Sequence, residues 1–347
     1  MIRVESLSYR AGQFSLEDIS FTVDKGETLV VLGPTGAGKT ILLELIAGMR
    51  TPRGGTVRFD DVDLTYEPPE RRKVGLVYQD YLLFPHLTVA DNIAYGLRVS
   101  GMRSHEARAK VREIALKFGI EHLLERRTRN LSGGEQQRTA IARTLVTEPK
   151  ILLLDEPFSA VDPNTKDQLM REMSDMLESF DMPVMYVTHD QVEAAEMADR
   201  IAVMNEGRIV QIDTPEGVFA APKSEFVANF VGIRNVLRGQ ARRVGDHTVV
   251  SLGAAEVCSS AGIEGKVNVT IRPEDIIVSK ERLVSSARNS LSGKVISVSE
   301  KGPLVFVTAD CGTQLTAAIT RESFRELRVT VGDTIYMTFK ASSVNLF

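Results

Sequence analysis

The chain has no tryptophan, and only two of its 347 residues are cysteine. Cys258 and Cys311 belong to no Cys-x-x-Cys or Cys-x-x-His group. That argues against a zinc site or a disulfide framework, and for two small apolar side chains in a β-rich region of a reduced compartment. No apolar run approaches the roughly 20 residues that span a bilayer. No signal-peptide pattern is visible, because Met1-Ile2-Arg3-Val4-Glu5 already has the character of a strand. A soluble chain is expected, one that would serve a membrane only through a partner. A surplus of one charge is missing too. The 42 basic and 46 acidic side chains leave a net charge of −4, which argues against a general nucleic-acid binder.

What is present is the composition of a globular protein, with 43% hydrophobic and 25% charged residues, so collagen-like, low-complexity and disordered readings fall away. At about 150 residues per domain, two or three domains are expected. Residues 1 to about 230 alternate short apolar strands with amphipathic helices. Thr28–Leu32, Val74–Tyr78, Ile151–Leu154 and Val184–Val187 read as strands covered on both faces. Asp162-Pro163 opens a helix whose apolar positions are Leu169, Met173, Met176, Leu177 and Phe180. The stretch from about 86 to 148 has no convincing strand; Val111, Ile114, Ala115 and Phe118 make one helical face and Gly119 a stop. Its arginines from Arg98 to Arg129 read mainly as a solvated face. After Gly232 short β segments take over, at 236–240, 266–271, 293–298, 304–307 and 334–339, with Gly245-Asp246 and Gly332-Asp333 as turns.

Gly33-Pro34-Thr35-Gly36-Ala37-Gly38-Lys39-Thr40 follows the strand at 28–32 and opens a helix, the context that a phosphate-binding P-loop requires. Its glycines turn backbone N–H groups toward phosphate oxygens and the helix start adds positive potential. Lys39 is expected to reach the β- and γ-phosphates and the Thr40 hydroxyl to ligate Mg²⁺. At the end of the strand Ile151–Leu154 stand two carboxylates. Asp155 suits the Mg²⁺ shell, and Glu156 suits a general base acting on the attacking water. Leu131-Ser132-Gly133-Gly134-Glu135-Gln136 reads as a capped helix start. Two glycines there cost helix propensity of about 1 kcal/mol each, and an anion-binding role explains them.

With these three elements the chain resembles the ATP-binding cassette family over residues 1 to about 235. The resemblance implies an α/β P-loop NTPase domain (1–230) with a RecA-like core, an N-terminal β subdomain and a helical subdomain at about 86–148. It implies that Gln79 is the Q-loop glutamine sensing Mg²⁺ and the water, that Ser159-Ala160-Val161-Asp162 is the D-loop, and that His189 is the switch histidine on the γ-phosphate. Ser132, Gly133, Gly134 and Gln136 would form the signature that caps ATP held by the other subunit of a homodimer. For adenine stacking Tyr9 is the candidate, with Ala11 at the family position itself and Phe14 a weaker substitute. A single cassette with a short helical insertion resembles importers more than DNA-repair or translation ATPases. Two permease copies and, through them, an extracytoplasmic oxyanion-binding protein are then the expected partners, at the cytoplasmic face of the membrane. Tyr81-Leu82-Leu83-Phe84-Pro85-His86 is either core or the groove for a permease helix.

The segment 231–347 is expected to be an all-β, OB-like or molbindin-like regulatory domain, in parts 231–283 and 284–347. Arg272-Pro273-Glu274 is similar to a motif of importer regulatory domains. Ser285-Ser286-Ala287-Arg288-Asn289-Ser290-Leu291-Ser292-Gly293 resembles the SARN motif of molbindin-type domains, and Lys340-Ala341-Ser342-Ser343 resembles their second segment. The implied ligand is molybdate or tungstate, held by Ser286, Ala287, Arg288, Asn289, Lys340, Ala341 and Ser342. The chemistry agrees: a tetrahedral dianion needs donors and compensating charge, and these segments carry no carboxylate. The expected function is therefore ATP-driven import of molybdate or tungstate, with bound oxyanion inhibiting uptake. Two alternatives stand beside it. One is an importer of sulfate, sugar, polyamine or ferric iron in which the SARN-like stretch is a polar turn. The other is an ATP-dependent oxyanion sensor or storage protein.

Overall fold

The computed structural model describes residues 1–159 and 161–347, side chains at 163 and 164 excepted. They divide into two compact units, Met1–Pro215 and Glu216–Phe347.

In the first unit β1 (Ile2–Ala11) and β2 (Phe14–Val23) form a hairpin, and β3 (Thr28–Leu32) leads through the Gly-rich loop into α1 (Lys39–Ala47). β4 (Gly54–Phe59) and β5 (Val62–Asp63) join the hairpin in an antiparallel sheet of order β2-β1-β4-β5. The turn α2 (Pro69–Arg72) precedes β6 (Val74–Val77). Helices α3 (Val89–Val99), α4 (Ser104–Lys117) and α5 (Gly133–Leu145) then fill the expected helical stretch. Val111, Ile114, Ala115 and Phe118 are buried, and Gly119 sits two residues past the end of α4 at φ +63°, a left-handed stop. β7 (Ile151–Asp155), α6 (Pro163–Glu178), β8 (Val184–Thr188), α7 (Gln191–Met197), β9 (Arg200–Asn205) and β10 (Arg208–Asp213) complete the unit.

The six-stranded sheet runs β10-β9-β3-β8-β7-β6 and is parallel except for β10. β7 and β8 are buried at every position, as apolar runs covered on both faces must be. Arg72 seals one end of α1, donating to the carbonyls of Leu45 and Ile46 at 2.8 Å. The other end of α1 has no side-chain cap. Its first N–H groups therefore face the Gly-rich loop unclaimed by any cap.

α8 (Pro215–Ala220) begins at the boundary between the units, and α9 (Glu225–Phe230) lies in the second. Strands β11 (Asn235–Val244), β12 (His247–Leu252), β13 (Ala255–Ser259), β14 (Gly265–Ile271), β15 (Ile277–Ser279), β16 (Asn289–Lys301), β17 (Leu304–Asp310) and β18 (Gln314–Thr320) follow. Helix α10 (Arg321–Leu327), β19 (Thr334–Phe339) and β20 (Val344–Leu346) close the chain. Two five-stranded antiparallel sheets result, β13-β12-β11-β14-β20 and β15-β19-β16-β17-β18. Their inner faces share one core that includes Val250, Val269, Val305, Leu315 and Ile335. β20 returns to the first sheet and β15 joins the second, so each sheet draws strands from both 231–283 and 284–347. Among the described residues no helix is long and apolar enough to cross a membrane.

Candidate functional site

β3, β8, β7 and β6 are parallel neighbours, so the segments leaving their carboxyl ends emerge side by side at strand spacings of about 4.8 Å. β3 delivers the Gly-rich loop, β8 delivers His189, β7 delivers Asp155 and Glu156, and β6 is followed by Gln79. This edge of an open α/β sheet is where ligands bind.

The loop glycines are required for different reasons. A Cβ at Gly33 would lie 2.3 Å from the Met204 carbonyl oxygen, whereas Gly36 and Gly38 take φ of +84° and +102°. Between them the Ala37 N–H donates to the Pro34 carbonyl at 3.2 Å, while Thr35 is exposed. The Lys39 ammonium is buried and donates to the carbonyls of Gly33 (2.9 Å) and Pro34 (3.1 Å). Burial pushes its pKa down, opposed by Glu156 and Asp155. Asp155 is also buried, and desolvation lifts its carboxyl above the usual range although the Thr40 hydroxyl bonds to it. Glu156 has φ +44°, a left-handed strain at the strand end, with its N–H on the Val187 carbonyl at 2.9 Å. Its Oε1 lies 3.1 Å from His189 Nδ1. Glu156, His189, Gln79 and Ser159 line one cleft of about 610 Å³.

Sequence reasoning missed the support beneath His189. Asp190 caps α7, accepting from Val192 N at 2.8 Å, and Lys166 reaches both Asp190 and the buried Glu193 at 2.6 Å. The signal was present in Asp190 standing three residues before Glu193 at a helix start.

Ser132 begins α5 in a full capping box: its N–H donates to Glu135 Oε2 at 2.7 Å and its hydroxyl accepts from Glu135 N at 3.4 Å. Gly133 and Gly134 form the first turn; a Cβ at Gly134 would meet Leu169 Cδ1 at 3.0 Å. Gln136 folds back onto the Leu131 carbonyl at 3.0 Å.

In the second unit Asn289 pairs with Phe339 in the β16–β19 ladder. Arg288 and Lys340 are the next residues beyond that last pair of the ladder, and both are exposed. Ser286 and Ser342 are exposed and Ala287 and Ala341 half-buried; Ser342 lines a small pocket with Arg272 and Asp275. Asn289 is instead buried, with its carboxamide on both backbone groups of Cys258, accepting at 2.6 Å and donating at 2.9 Å. It ties β16 to the open edge of β13 and is a fastening more than a free ligand. Arg288 has a neighbour that the sequence did not suggest, His247 Nδ1 at 3.0 Å.

The ABC transporter family model matches residues 16–159 and the TOBE domain model residues 285–346. A molybdate/tungstate import ATP-binding protein of Pyrococcus abyssi is 45% identical over 100% of both chains. The chain belongs to the ABC transporter family. A sulfate/thiosulfate import ATP-binding protein of Bacillus cereus is 39% identical over 99% of this chain and 97% of that one. Among solved structures, a subunit of the cbiONQ ABC transporter complex of Clostridium perfringens superposes with a TM-score of 0.58 at 31% identity, over 67% of this chain and 94% of its own. The chain is thus an ABC-type ATPase with a C-terminal TOBE domain.

Tyr9 is engaged elsewhere, accepting from Arg50 Nη1 at 2.9 Å, while a Cβ at Gly38 would lie 2.5 Å from the Phe14 ring. The aromatic ring against the ABC phosphate loop is therefore Phe14. In the D-loop, Ala160 lies outside the described residues, and the Asp162 carbonyl accepts from Thr165 N at 3.0 Å.

Proposed function

We propose that this ABC subunit hydrolyses ATP to drive import of molybdate or tungstate, and that oxyanion bound by its C-terminal unit holds the cycle in check. The observation that carries the cargo is the β16–β19 register, whose last pair, Asn289–Phe339, is followed by Arg288 on one segment and Lys340 on the other, in segments that hold hydroxyls and no carboxylate. Two cationic side chains match a dianion, and Ser286, Ser342 and backbone N–H groups complete a donor-only shell. The full-length relatives named for molybdate/tungstate import support the same reading. A shorter relative of that name in Archaeoglobus fulgidus is 51% identical over 66% of this chain and 93% of its own. That is what a regulatory rather than a transport role for the C-terminal unit would allow.

In the ATP site, Lys39 and the loop N–H groups of 33–40 hold the β- and γ-phosphates. Glu156 accepts a proton from the attacking water, and His189, in contact with Glu156, orients the γ-phosphate. Thr40, Gln79 and Asp155 offer oxygen donors only. No three His, Cys, Asp or Glu side chains cluster to hold a metal among the described residues. That set suits Mg²⁺, which takes few protein ligands beside phosphate oxygens and neutralises their charge when bound. Tyr9 keeps its contact with Arg50, and Phe14 is the aromatic that packs against Gly38 of the loop. Ser132, Gly133, Gly134, Gln136 and Asp162 face the nucleotide of a second copy in a homodimer. Leu82, Tyr95 and Val99 are 58%, 46% and 73% exposed and suit the surface for one of two permease subunits. The chain then works at the cytoplasmic membrane face, with an extracytoplasmic oxyanion-binding protein upstream.

Calorimetric titration of the purified chain with tungstate, molybdate and sulfate tests the cargo. Tight binding of the first two, lost in Arg288→Ala, is expected. Preference for sulfate would favour the second reading, a sulfate importer, which the Bacillus cereus relative supports. The regulatory half fails if oxyanion binds yet leaves ATP hydrolysis by the assembled transporter unchanged.

A further inference from the structure

Arg143 lies on α5, the helix that Ser132 caps. Its Nη1 donates to the Leu82 carbonyl and its Nη2 to the Tyr81 carbonyl, both at 2.8 Å. The guanidinium also stands 5.6 Å from the Phe84 ring centre. Burial pushes its pKa down, and no carboxylate among the described residues forms an ion pair with it. A partly desolvated cation answered by carbonyls and a ring is costly to keep, so the segment it holds becomes the question.

That segment is strained. Tyr81 and Leu82 have φ of +57° and +44°, two consecutive left-handed residues without a glycine. Leu82 is 58% exposed, so its own side chain does not anchor the turn. Tyr81 is buried and its hydroxyl donates to the Pro157 carbonyl at 2.9 Å, one residue beyond Glu156. The turn begins two residues after Gln79. One fork thus joins α5, the chain just after Gln79 and, through Tyr81, the chain just after Glu156.

We propose that Arg143 is a positioning residue for Gln79, clasping the Tyr81–Leu82 turn so that Gln79 reaches the reacting phosphate only while α5 is seated. The inference rests on the role given to Gln79 above. It makes hydrolysis conditional on the placement of the helix that carries the signature.

Steady-state ATP hydrolysis by the full chain tests it through a double-mutant cycle. Arg143→Met keeps the stem and removes the fork; kcat should fall roughly tenfold or more, with KM for ATP within about twofold of wild type. In a Gln79→Ala background the same substitution should cost nothing further. Leu82→Gly, which adopts the left-handed turn freely, should restore much of the rate to Arg143→Met. Arg143→Lys is carried through the same cycle in case Arg143→Met does not fold. An equal loss in both backgrounds, or no loss while Gln79→Ala is slow, overturns the proposal. A Gln79→Ala chain that hydrolyses at the wild-type rate instead removes the Gln79 assignment, and this inference falls with it.

Discussion

Asp155 is 5% exposed, and burial lifts its carboxyl above the usual range against the pull of the Thr40 hydroxyl and the Lys39 ammonium. A carboxyl raised on folding favours the protonated state. Its contribution is present below the unfolded value of about 3.9 and is lost as pH rises through the folded pKa. Ionising Asp155 in the folded site is therefore costly, and a bound cation would offset that cost. Asp155→Asn should raise the stability of the nucleotide-free chain by about 0.5–2 kcal/mol in urea melts, while ATP affinity in Mg²⁺ falls. A destabilised variant would mean that the attraction of Lys39 outweighs burial. Glu156 makes a separate demand. With its Oε1 at 3.1 Å from His189, Glu156→Gln should keep ATP binding while kcat falls by about 10²- to 10⁴-fold. Unchanged turnover would move the base elsewhere.

At the scale of elements, β13 is an edge strand, and the Cys258 N–H and C=O find their partner in the Asn289 carboxamide. Asn289→Ala would leave two part-buried backbone groups without this partner, at up to about 1–3 kcal/mol each. Arg288→Ala, one residue earlier and exposed, should move stability by less than about 0.5 kcal/mol while abolishing oxyanion binding. Chemical melts and titrations on the same pair separate fastening from ligand; equal loss of stability would place both in the scaffold. This distinction was not legible in the sequence, where Arg288 and Asn289 stand as equals in one motif. β3, β7 and β8 were legible because burial on both faces makes them uniformly apolar. β13 and β15 were not, being short and held by neighbours instead of by their own pattern. The Glu156–His189 contact was equally hidden, since it arises from β7 lying beside β8. The hairpin turn at Gly12, φ +60°, decides that Phe14 and not Tyr9 meets Gly38, which a count of residues to Lys39 could not do.

At the scale of the whole molecule, one chain carries one phosphate loop and one signature. The cleft lined by Gln79, Glu156 and His189 includes no residue of 131–137 among those described. Nothing from α5 therefore closes it within the chain, although Ser132 and two glycines present a helix start suited to an anion. A second copy can supply that start and receive the same in return, an isologous arrangement with two nucleotides in the interface. In the proposed dimer phosphate charge would act as the adhesive, ATP bringing γ-phosphate oxygens to the start of α5 in the second copy and ADP not. Glu156→Gln, which holds ATP without turnover, should double its mass in Mg²⁺ and ATP by light scattering and remain monomeric in ADP. Wild-type hydrolysis should show a Hill coefficient for ATP between 1 and 2. Ser132→Arg in the same background should abolish the dimer by placing a bulky cation at the interface while leaving ATP bound to Lys39. A monomer at every nucleotide concentration, with hyperbolic kinetics, would mean that each cleft completes itself. The capping box at Ser132 would then be an ordinary helix start.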